Sequence, residues 1–308
     1  MITLWAQQSA VTLTHLYLIV NRSLLSDLSF PELAVFSSGQ IVLSSDGLLP
    51  SETGGSLVYK GRGLLGAKLR EVTSWASPGG YRIEIEGIGH FSVTDDGQHI
   101  IASGLHLPIS PLLLTEAALG PCLILALALQ GTFTLHASAA LDPAGNLLLF
   151  AGESGRGKST LARYLGQQPG WRRVADDILP VELEAAQLMA LPHFPQLKIS
   201  PDRQPAVGLP QRLPISALYV LGEPAADVCV EPLSPLEGAL ALVRHTVASR
   251  LFARPLLTRH MAFVQTAALK LPVRRLHYPH RHNALPVVQD ALVAGNRERM
   301  GRLDEDEV

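Results

Sequence analysis

The segment of residues 152–160 has the composition and spacing of a phosphate-binding loop. It reads Gly-Glu-Ser-Gly-Arg-Gly-Lys-Ser-Thr, which matches the pattern G-x-x-x-x-G-K-[ST]. Glycines let the backbone take positive φ angles and approach an anion closely, so that N–H groups point at the phosphates. The lysine then reaches the β- and γ-phosphates, and the serine hydroxyl ligates Mg²⁺. The predicted nucleotide-binding residues are therefore Gly152, Glu153, Ser154, Gly155, Arg156, Gly157, Lys158, Ser159 and Thr160.

The residues on either side of this loop predict the elements that must hold it. Residues 146–151 form a short apolar run, which is typical of a buried strand. After the loop, Leu161, Ala162 and Leu165 recur at helical spacing. Strand, loop and helix thus follow in the required order, because the positive end of the helix must face the anion.

Two adjacent acids, Asp176 and Asp177, lie between apolar residues. Burying them costs free energy unless a metal or a partner compensates their charge. On a strand the two side chains would point to opposite faces, whereas a strand end or bulge lets one support Mg²⁺ while the other faces an acceptor hydroxyl. A carboxylate that accepts the hydroxyl proton recurs in phosphoryl-transfer sites, so we expect this pair to act with the loop.

Composition excludes several classes of protein. The chain has 308 residues, 47% of them hydrophobic, and a net charge of −2 from 25 basic and 27 acidic residues. It therefore has no broad basic surface, and we expect no nucleic-acid partner. Only Cys122 and Cys229 are present, far apart in sequence, which favours a reducing compartment over a disulfide scaffold.

We expect a cytoplasmic protein with no membrane span. Residues 1–20 have no Lys or Arg before their apolar part, so the charged region of a signal peptide is missing. Residues 112–129 are rich in Leu and Ala, but Glu116, Gly120 and Pro121 interrupt them. We interpret this stretch as one or two buried helices.

The composition changes character near residues 105–118, which predicts a β-rich domain over 1–112. Short strand patterns occur at 11–14, 16–20 and 40–43. Alternating apolar residues predict a half-buried strand that contains Tyr81, Ile83 and Ile85. The run 91–94, the turn Asp96-Gly97 and the apolar pair 100–101 predict a hairpin.

The rest of the chain predicts an α/β domain over 113–295 and a polar, frayed tail over 296–308. Strands are expected at 133–139, at 217–221 and, as an edge strand, at 273–276, and a helix at 256–269. Ser234 and Glu237 have the spacing of a capping box, which starts another helix. The predicted buried face of that helix consists of Leu236, Leu240, Val243, Val247 and Leu251.

Three segments together resemble the catalytic domain of HPr kinase/phosphorylase: residues 135–138, 150–162 and 173–177. They resemble more closely the divergent bacterial HPr-kinase-like proteins, some of which accompany ribosomal peptide biosynthesis, for example that of lasso peptides. The similarity extends over residues 115–290. It implies an α/β fold with the P-loop kinase core of the HPr kinase and phosphoenolpyruvate carboxykinase type, preceded here by the smaller β-rich domain.

The resemblance also implies roles for individual residues. Lys158 and the loop amides would hold the phosphates of ATP, and Ser159 would ligate Mg²⁺. Asp176 matches the general base that deprotonates an acceptor serine, and Asp177 matches the second acid, near the metal. His136 matches a histidine close to the phosphates. The implied function is ATP-dependent transfer of the γ-phosphate to a serine of a protein or peptide acceptor.

The chain departs from the HPr kinases proper after the acid pair. Their signature L-E-I-R-G-x-G is absent, and Leu-Pro-His-Phe-Pro-Gln-Leu-Lys-Ile stands at 191–199 instead. The acceptor and any reverse phosphorylase activity therefore stay open, as does a homo-oligomeric assembly of the kind common in the family. A small-molecule phosphotransferase and a non-catalytic nucleotide-binding regulator are the alternatives. Arg244 and Arg250 either neutralise γ-phosphate charge or belong to a solvated helix face.

Overall fold

The chain folds into two compact units, each with its own sheet. The computed structural model describes residues 15–19, 22–26, 41–44, 55–106, 108–194, 196 and 208–305. One unit comprises Met1–Gly131 with Arg250–Leu256, and the other comprises Thr132–Ser249 with Leu257–Val308. The predicted strand at 11–14 and part of the segment 191–199 lie outside the described residues. The architecture is mixed α/β with two sheets.

The described part of the first unit is an eight-stranded sheet. Its strands are β1 (His15–Ile19), β2 (Arg22–Ser26), β3 (Ile41–Ser44), β4 (Ser56–Leu65), β5 (Lys68–Ser77), β6 (Gly80–Ile85), β7 (Gly89–Thr94) and β8 (His99–Ser103). They are arranged in the order β1-β2-β3-β8-β7-β6-β5-β4. The alternation predicted for β6 is confirmed, because Tyr81, Ile83 and Ile85 are buried while Glu84 is exposed. The predicted hairpin is the antiparallel pair β7–β8.

The apolar stretch Pro111–Leu129 forms buried helices in the first unit, as expected. It consists of α1 (Pro111–Ala117), a π-helical turn (Ala118–Cys122) and α2 (Leu123–Leu129). Gly120 has non-helical angles there, φ −80° and ψ −108°, next to Pro121. With a mean hydropathy of 2.1 the stretch is long and apolar enough to cross a membrane. However, 61% of its most apolar part is buried inside the protein, so length and composition are only weak support for a membrane span. These helices contact β4, β7 and β8, so the first unit extends to residue 131, beyond the change of composition near 112.

The described part of the second unit is built around a nine-stranded mixed sheet. Its strands are β9 (Phe133–Leu135), β10 (Ala137–Leu141), β11 (Leu147–Ala151), β12 (Arg172–Ala175), β13 (Leu179–Glu184), β14 (Gln187–Ala190), β15 (Leu213–Leu221), β16 (Cys229–Pro232) and β17 (Val273–His277). The order β12-β10-β11-β15-β14-β13-β9 is extended by β17, which pairs with β15 and β16. The pairs β11–β15 and β15–β17 are parallel, so the carboxyl ends of these three strands lie at one edge.

Four helices of the described chain accompany these strands: α3 (Lys158–Leu165), α4 (Pro235–His245), α5 (Arg254–Lys270) and α6 (Leu285–Glu305). One apolar cluster joins α3 and α6 to the sheet and includes Phe150, Leu161, Tyr219 and Leu292. Strands β11 and β15 carry long apolar runs because parallel strands are covered on both faces. This core holds the edge at which β11 ends.

The predicted buried face of α4 is wrong. The helix ends at His245, before Val247 and Leu251, and Leu236 and Leu240 are 71% and 60% exposed. The capping box at Ser234 is confirmed. The helix instead packs through the face that carries Gly238 and Leu242. A Cβ at Gly238 would lie 3.0 Å from Val273, and Leu236 and Leu240 lie on the outward face.

Three further expectations need correction. The predicted strand 133–139 is two strands, because β9 pairs with β13 whereas β10 pairs with β11 and β12. The strand β17 is covered by β16 and is not an edge strand. The polar segment after residue 295 continues α6 as far as Glu305, since it is rich in strong helix formers such as Arg, Glu, Met and Leu.

Candidate functional site

The 152–157 loop connects the end of β11 to the start of α3. The φ angles of Gly152, Gly155 and Gly157 are 149°, 82° and 89°, values that residues other than glycine rarely adopt. Gly157 caps α3 in the left-handed conformation. The strand, the loop and the helix therefore follow in the predicted order, and the N-terminus of α3 opens at the edge where β11 ends.

Lys158 lies folded over this loop. Its Nζ donates to the carbonyl oxygens of Gly152 at 2.8 Å and of Glu153 at 3.1 Å. The side chain is buried, so its ammonium group is held in place by the loop itself. An anion in the loop would compete with two neutral carbonyls for this cation, and hydrogen bonds between charged groups are the stronger ones.

We expect Gly157→Ala to destabilise the protein more than Gly155→Ala. Both residues would carry a left-handed penalty of about 1–2 kcal/mol. At Gly157 a Cβ would also lie 2.7 Å from the Tyr278 hydroxyl, whereas at Gly155 none of the described atoms lies within 4 Å. Such overpacking costs about 1–3 kcal/mol more.

Thermal denaturation of the two variants measures this difference. Adding Tyr278→Phe to Gly157→Ala removes the hydroxyl and should restore part of the lost stability. Equal losses in both glycine variants would show that the contact with Tyr278 does not matter.

The acid pair follows directly on the end of β12. Asp176 and Asp177 occupy the turn between Ala175 and the start of β13, which is the strand end that allows their side chains to diverge. Asp176 is 8% exposed, and among the described residues its Oδ1 accepts no hydrogen bond; Arg173 Nη1 lies 3.5 Å from it. Asp177 Oδ1 lies 3.4 Å from His136 Nδ1.

The loop and the acid pair meet at one carbonyl group. The hydroxyl groups of Ser159, at 3.1 Å, and of Ser138 both donate to the carbonyl oxygen of Asp176. Because Ser159 uses its proton there, its oxygen lone pairs are available to a cation. The sequence-predicted residues Ser159, Asp176, Asp177 and His136 are thus brought together in the second unit.

The donor set fits Mg²⁺. The hydroxyl of Ser159 and the carboxylate of Asp177 are hard oxygen ligands. Beside them, Asp176 Oδ1 is a buried oxygen that accepts no hydrogen bond from the described residues, with Arg173 3.5 Å away. Across the described part of the chain no group of three or more His, Cys, Asp or Glu side chains could hold a metal ion unaided. Mg²⁺ typically uses one or two protein carboxylates together with substrate phosphates, so such a group is not required.

His136 lies at the break between β9 and β10, opposite the end of α4. The backbone N–H of His136 donates to the backbone carbonyl oxygen of His245 at 2.7 Å, and the neighbouring Leu135 forms a β-bridge with Thr246. This contact places the buried His245 near Lys158. Burial, and then the charge of Lys158, lower the pKa of His245 to about 4, so it is neutral at pH 7.

The neutral His245 predicts a loss of stability in acid. Its folded pKa of about 4 lies below its ordinary value of 6.5, so the unfolded chain binds a proton that the folded chain excludes. The free energy of unfolding is therefore highest above pH 6.5 and falls as the pH drops towards 4. Burial also lowers the pKa of His260 to about 4, which adds to the same window.

We expect His245→Gln and His260→Gln each to flatten the dependence of Tm on pH between 6.5 and 4. The double variant should flatten it further. A double variant with the wild-type slope would contradict this account.

Two ion pairs flank the loop. Glu153 forms an ion pair with Arg244 of α4, with 2.5 Å between Oε1 and Nη2. Arg156 donates two hydrogen bonds to the carboxylate of Glu223, which follows β15. A groove of about 230 Å³ lies between the start of the loop and α4, and its lining includes Leu221, Leu240, Arg244 and His245. The sequence names Ser138 within the matched segment and His245 beside Arg244 on the capped helix, but their contacts and these two ion pairs could not be predicted from it, because each joins distant segments.

No family model matches this chain, and no curated protein sequence matches it. Among solved structures, the Hpr(Ser) kinase/phosphatase from Coxiella burnetii is similar over 56% of this chain and 96% of that chain, with 17% sequence identity and a TM-score of 0.33. A likeness with so low a TM-score carries no argument about this chain. Its function has to be inferred from the residues of the site.

Proposed function

We propose that this protein is an ATP- and Mg²⁺-dependent serine kinase of the HPr-kinase-like type, acting on a protein or peptide acceptor. The observation that carries the proposal is the 3.1 Å hydrogen bond from Ser159 to the carbonyl of Asp176. It joins the phosphate-binding loop to an acid pair, and a loop that only bound nucleotide would not need two acids beside it.

The loop amides and Lys158 would hold the phosphates of ATP. Ser159 and Asp177 would hold Mg²⁺ together with phosphate oxygens, and the ion would supply charge neutralisation. His136, 3.4 Å from Asp177, would orient that carboxylate. Catalysis of this kind consists mainly of positioning and electrostatic stabilisation.

Asp176 would act as the general base. It accepts the proton of the acceptor serine while the serine oxygen attacks the γ-phosphorus and the bond to the bridging oxygen of ADP breaks. Its carboxylate is more deeply buried than that of Asp177, so the acceptor hydroxyl must enter close to the end of β12. Arg244 of α4 forms an ion pair with Glu153 of the loop, and we expect its guanidinium group to face the γ-phosphate.

Transfer from γ-labelled ATP tests this proposal. The full chain is incubated with Mg²⁺ and with fractionated lysate or candidate peptides, in parallel with chelator and with Lys158→Ala. A labelled protein or peptide that is absent from both controls supports a kinase. A label that is lost in base more readily than phosphotyrosine supports serine as the acceptor.

Other outcomes separate the alternatives. Labelling of a small molecule alone would make the protein a small-molecule phosphotransferase. Tight binding of Mg²⁺ and ATP with no labelled product would favour the nucleotide-binding regulator. Failure to bind ATP at all would overturn the proposal.

A further inference from the structure

One buried amide side chain holds the turn that carries both acids. Gln196 is 3% exposed. Its Oε1 accepts the N–H groups of Asp176 at 3.0 Å and of Asp177 at 3.2 Å. Its Nε2 donates to the carbonyl oxygens of Ile178 at 2.7 Å and of Phe194 at 3.1 Å. A single side chain therefore serves four backbone groups around the acid pair.

The peptide unit between the two acids is held from both sides. Its carbonyl, on Asp176, accepts the hydroxyls of Ser138 and Ser159, and its N–H, on Asp177, donates to Gln196. Since this turn belongs to neither β12 nor β13, no ladder of strand hydrogen bonds fixes its orientation. Without Gln196 the buried N–H of Asp176 and the half-buried N–H of Asp177 would both lose their acceptor, and a buried N–H without an acceptor is destabilising.

We propose that Gln196 is a positioning residue for the divalent cation, a role that rests on the function proposed above. It fixes the turn so that the Asp177 carboxylate and the Ser159 hydroxyl keep their places before the ion binds. Groups that orient metal ligands typically contribute about 10- to 100-fold in metal affinity. Gln196 touches neither nucleotide nor acceptor in this role, and it acts only through the backbone of the acids.

Three variants separate this role from simple packing. Gln196→Met keeps the length of the side chain but removes the acceptor and the donor. Gln196→Glu keeps an oxygen that can accept both N–H groups, and it should retain more function than the Met variant. Gln187→Met, at an exposed position in β14, is the matched control.

The readout is the Mg²⁺ dependence of nucleotide affinity, measured by titrating ATP at a series of Mg²⁺ concentrations and in chelator. We expect Gln196→Met to raise, by about 10- to 100-fold, the Mg²⁺ concentration that gives half of the maximal increase in ATP affinity. Affinity in chelator should change less than twofold. Gln187→Met should match the wild type in both measurements.

Amide hydrogen exchange of the metal-free protein gives a second readout that does not depend on activity. Exchange at Asp176 and Asp177 should accelerate in Gln196→Met, because their acceptor is gone. Unchanged exchange, or an unchanged Mg²⁺ dependence, overturns the positioning role. If Gln196→Met fails to fold, Gln196→Glu tests the role in the opposite sense. Its oxygen still accepts both N–H groups, so exchange at Asp176 and Asp177 and the Mg²⁺ dependence should stay close to those of the wild type. A weakened Mg²⁺ dependence with exchange as slow as in the wild type would overturn the positioning role.

Failure of this inference differs from failure of the proposed function. A wild-type protein with no Mg²⁺-dependent ATP binding would overturn both. A wild-type protein with normal Mg²⁺ dependence, shared by Gln196→Met, would overturn the role of Gln196 alone.

Discussion

Replacing Lys158 by Ala is expected to lower phosphate transfer by about 100- to 1000-fold, the usual effect of removing one preorganised donor from a developing negative charge. In the free protein this ammonium group bonds two carbonyls of its own loop, at 2.8 and 3.1 Å. Binding of ATP would exchange those neutral partners for phosphate oxygens. The ammonium group is therefore already held at the loop where the phosphates would bind.

The measurement is the rate of label transfer at saturating Mg²⁺, together with the Kd for ATP. Lys270→Ala, at an exposed position that ends α5, is the matched control and should behave as wild type. Thermal denaturation checks that Lys158→Ala is folded, because the lysine also closes the loop. Full transfer activity in a folded Lys158→Ala protein would exclude the loop as the phosphate site.

Replacing Asp176 by Asn is expected to lower transfer by about 100- to 10,000-fold, the range for a lost general base, with little change in ATP affinity. Asn has nearly the same shape and keeps the backbone contacts with Ser159 and Gln196. Asp177→Asn should act differently. It removes a charged ligand, so the Mg²⁺ requirement should rise and the affinity for the ATP complex should fall.

The two Asn variants are compared in the same assay, with Asp227→Asn at an exposed position as the control. The reverse pattern would assign the base to Asp177, which is more exposed and lies beside His136. Transfer that survives both substitutions would show that the acid pair has no part in the chemistry. Retained biological activity of a transfer-dead Asp176→Asn protein would favour a nucleotide-binding regulator.

The local features of the site could be predicted from sequence because their signals are local. Residues 152–160 have a fixed pattern of glycines, lysine and serine, and the flanking strand and helix have their own periodicity. The same holds for the hairpin β7–β8 and the capping box of α4, where neighbouring residues determine the structure.

Features that depend on distant contacts could not be predicted in this way. The run 133–139 contains no Gly, Pro, Asn or Asp, so no turn residue in it shows that the chain changes partner strands at His136. The apolar residues of α4 have helical spacing, but the close approach at Gly238 selects a different face for burial. A single glutamine, such as Gln196, belongs to no recognisable sequence pattern. Its role is visible only in the folded protein, where its side chain contacts the turn that carries the acids.

The parallel pairing of β11 with β15 has a consequence for how the protein is made. A ribosome completes β11, the loop and α3 well before β15, which follows only after β12, β13 and β14. Parallel strands need a long crossover, and pairings between distant segments form slowly. The nascent chain therefore carries a complete phosphate-binding sequence whose supporting strand is not yet present. If the loop binds ATP as proposed, nucleotide would assist folding only late, after β15 has emerged, and we expect ATP to stabilise the finished protein without rescuing chains truncated before residue 213.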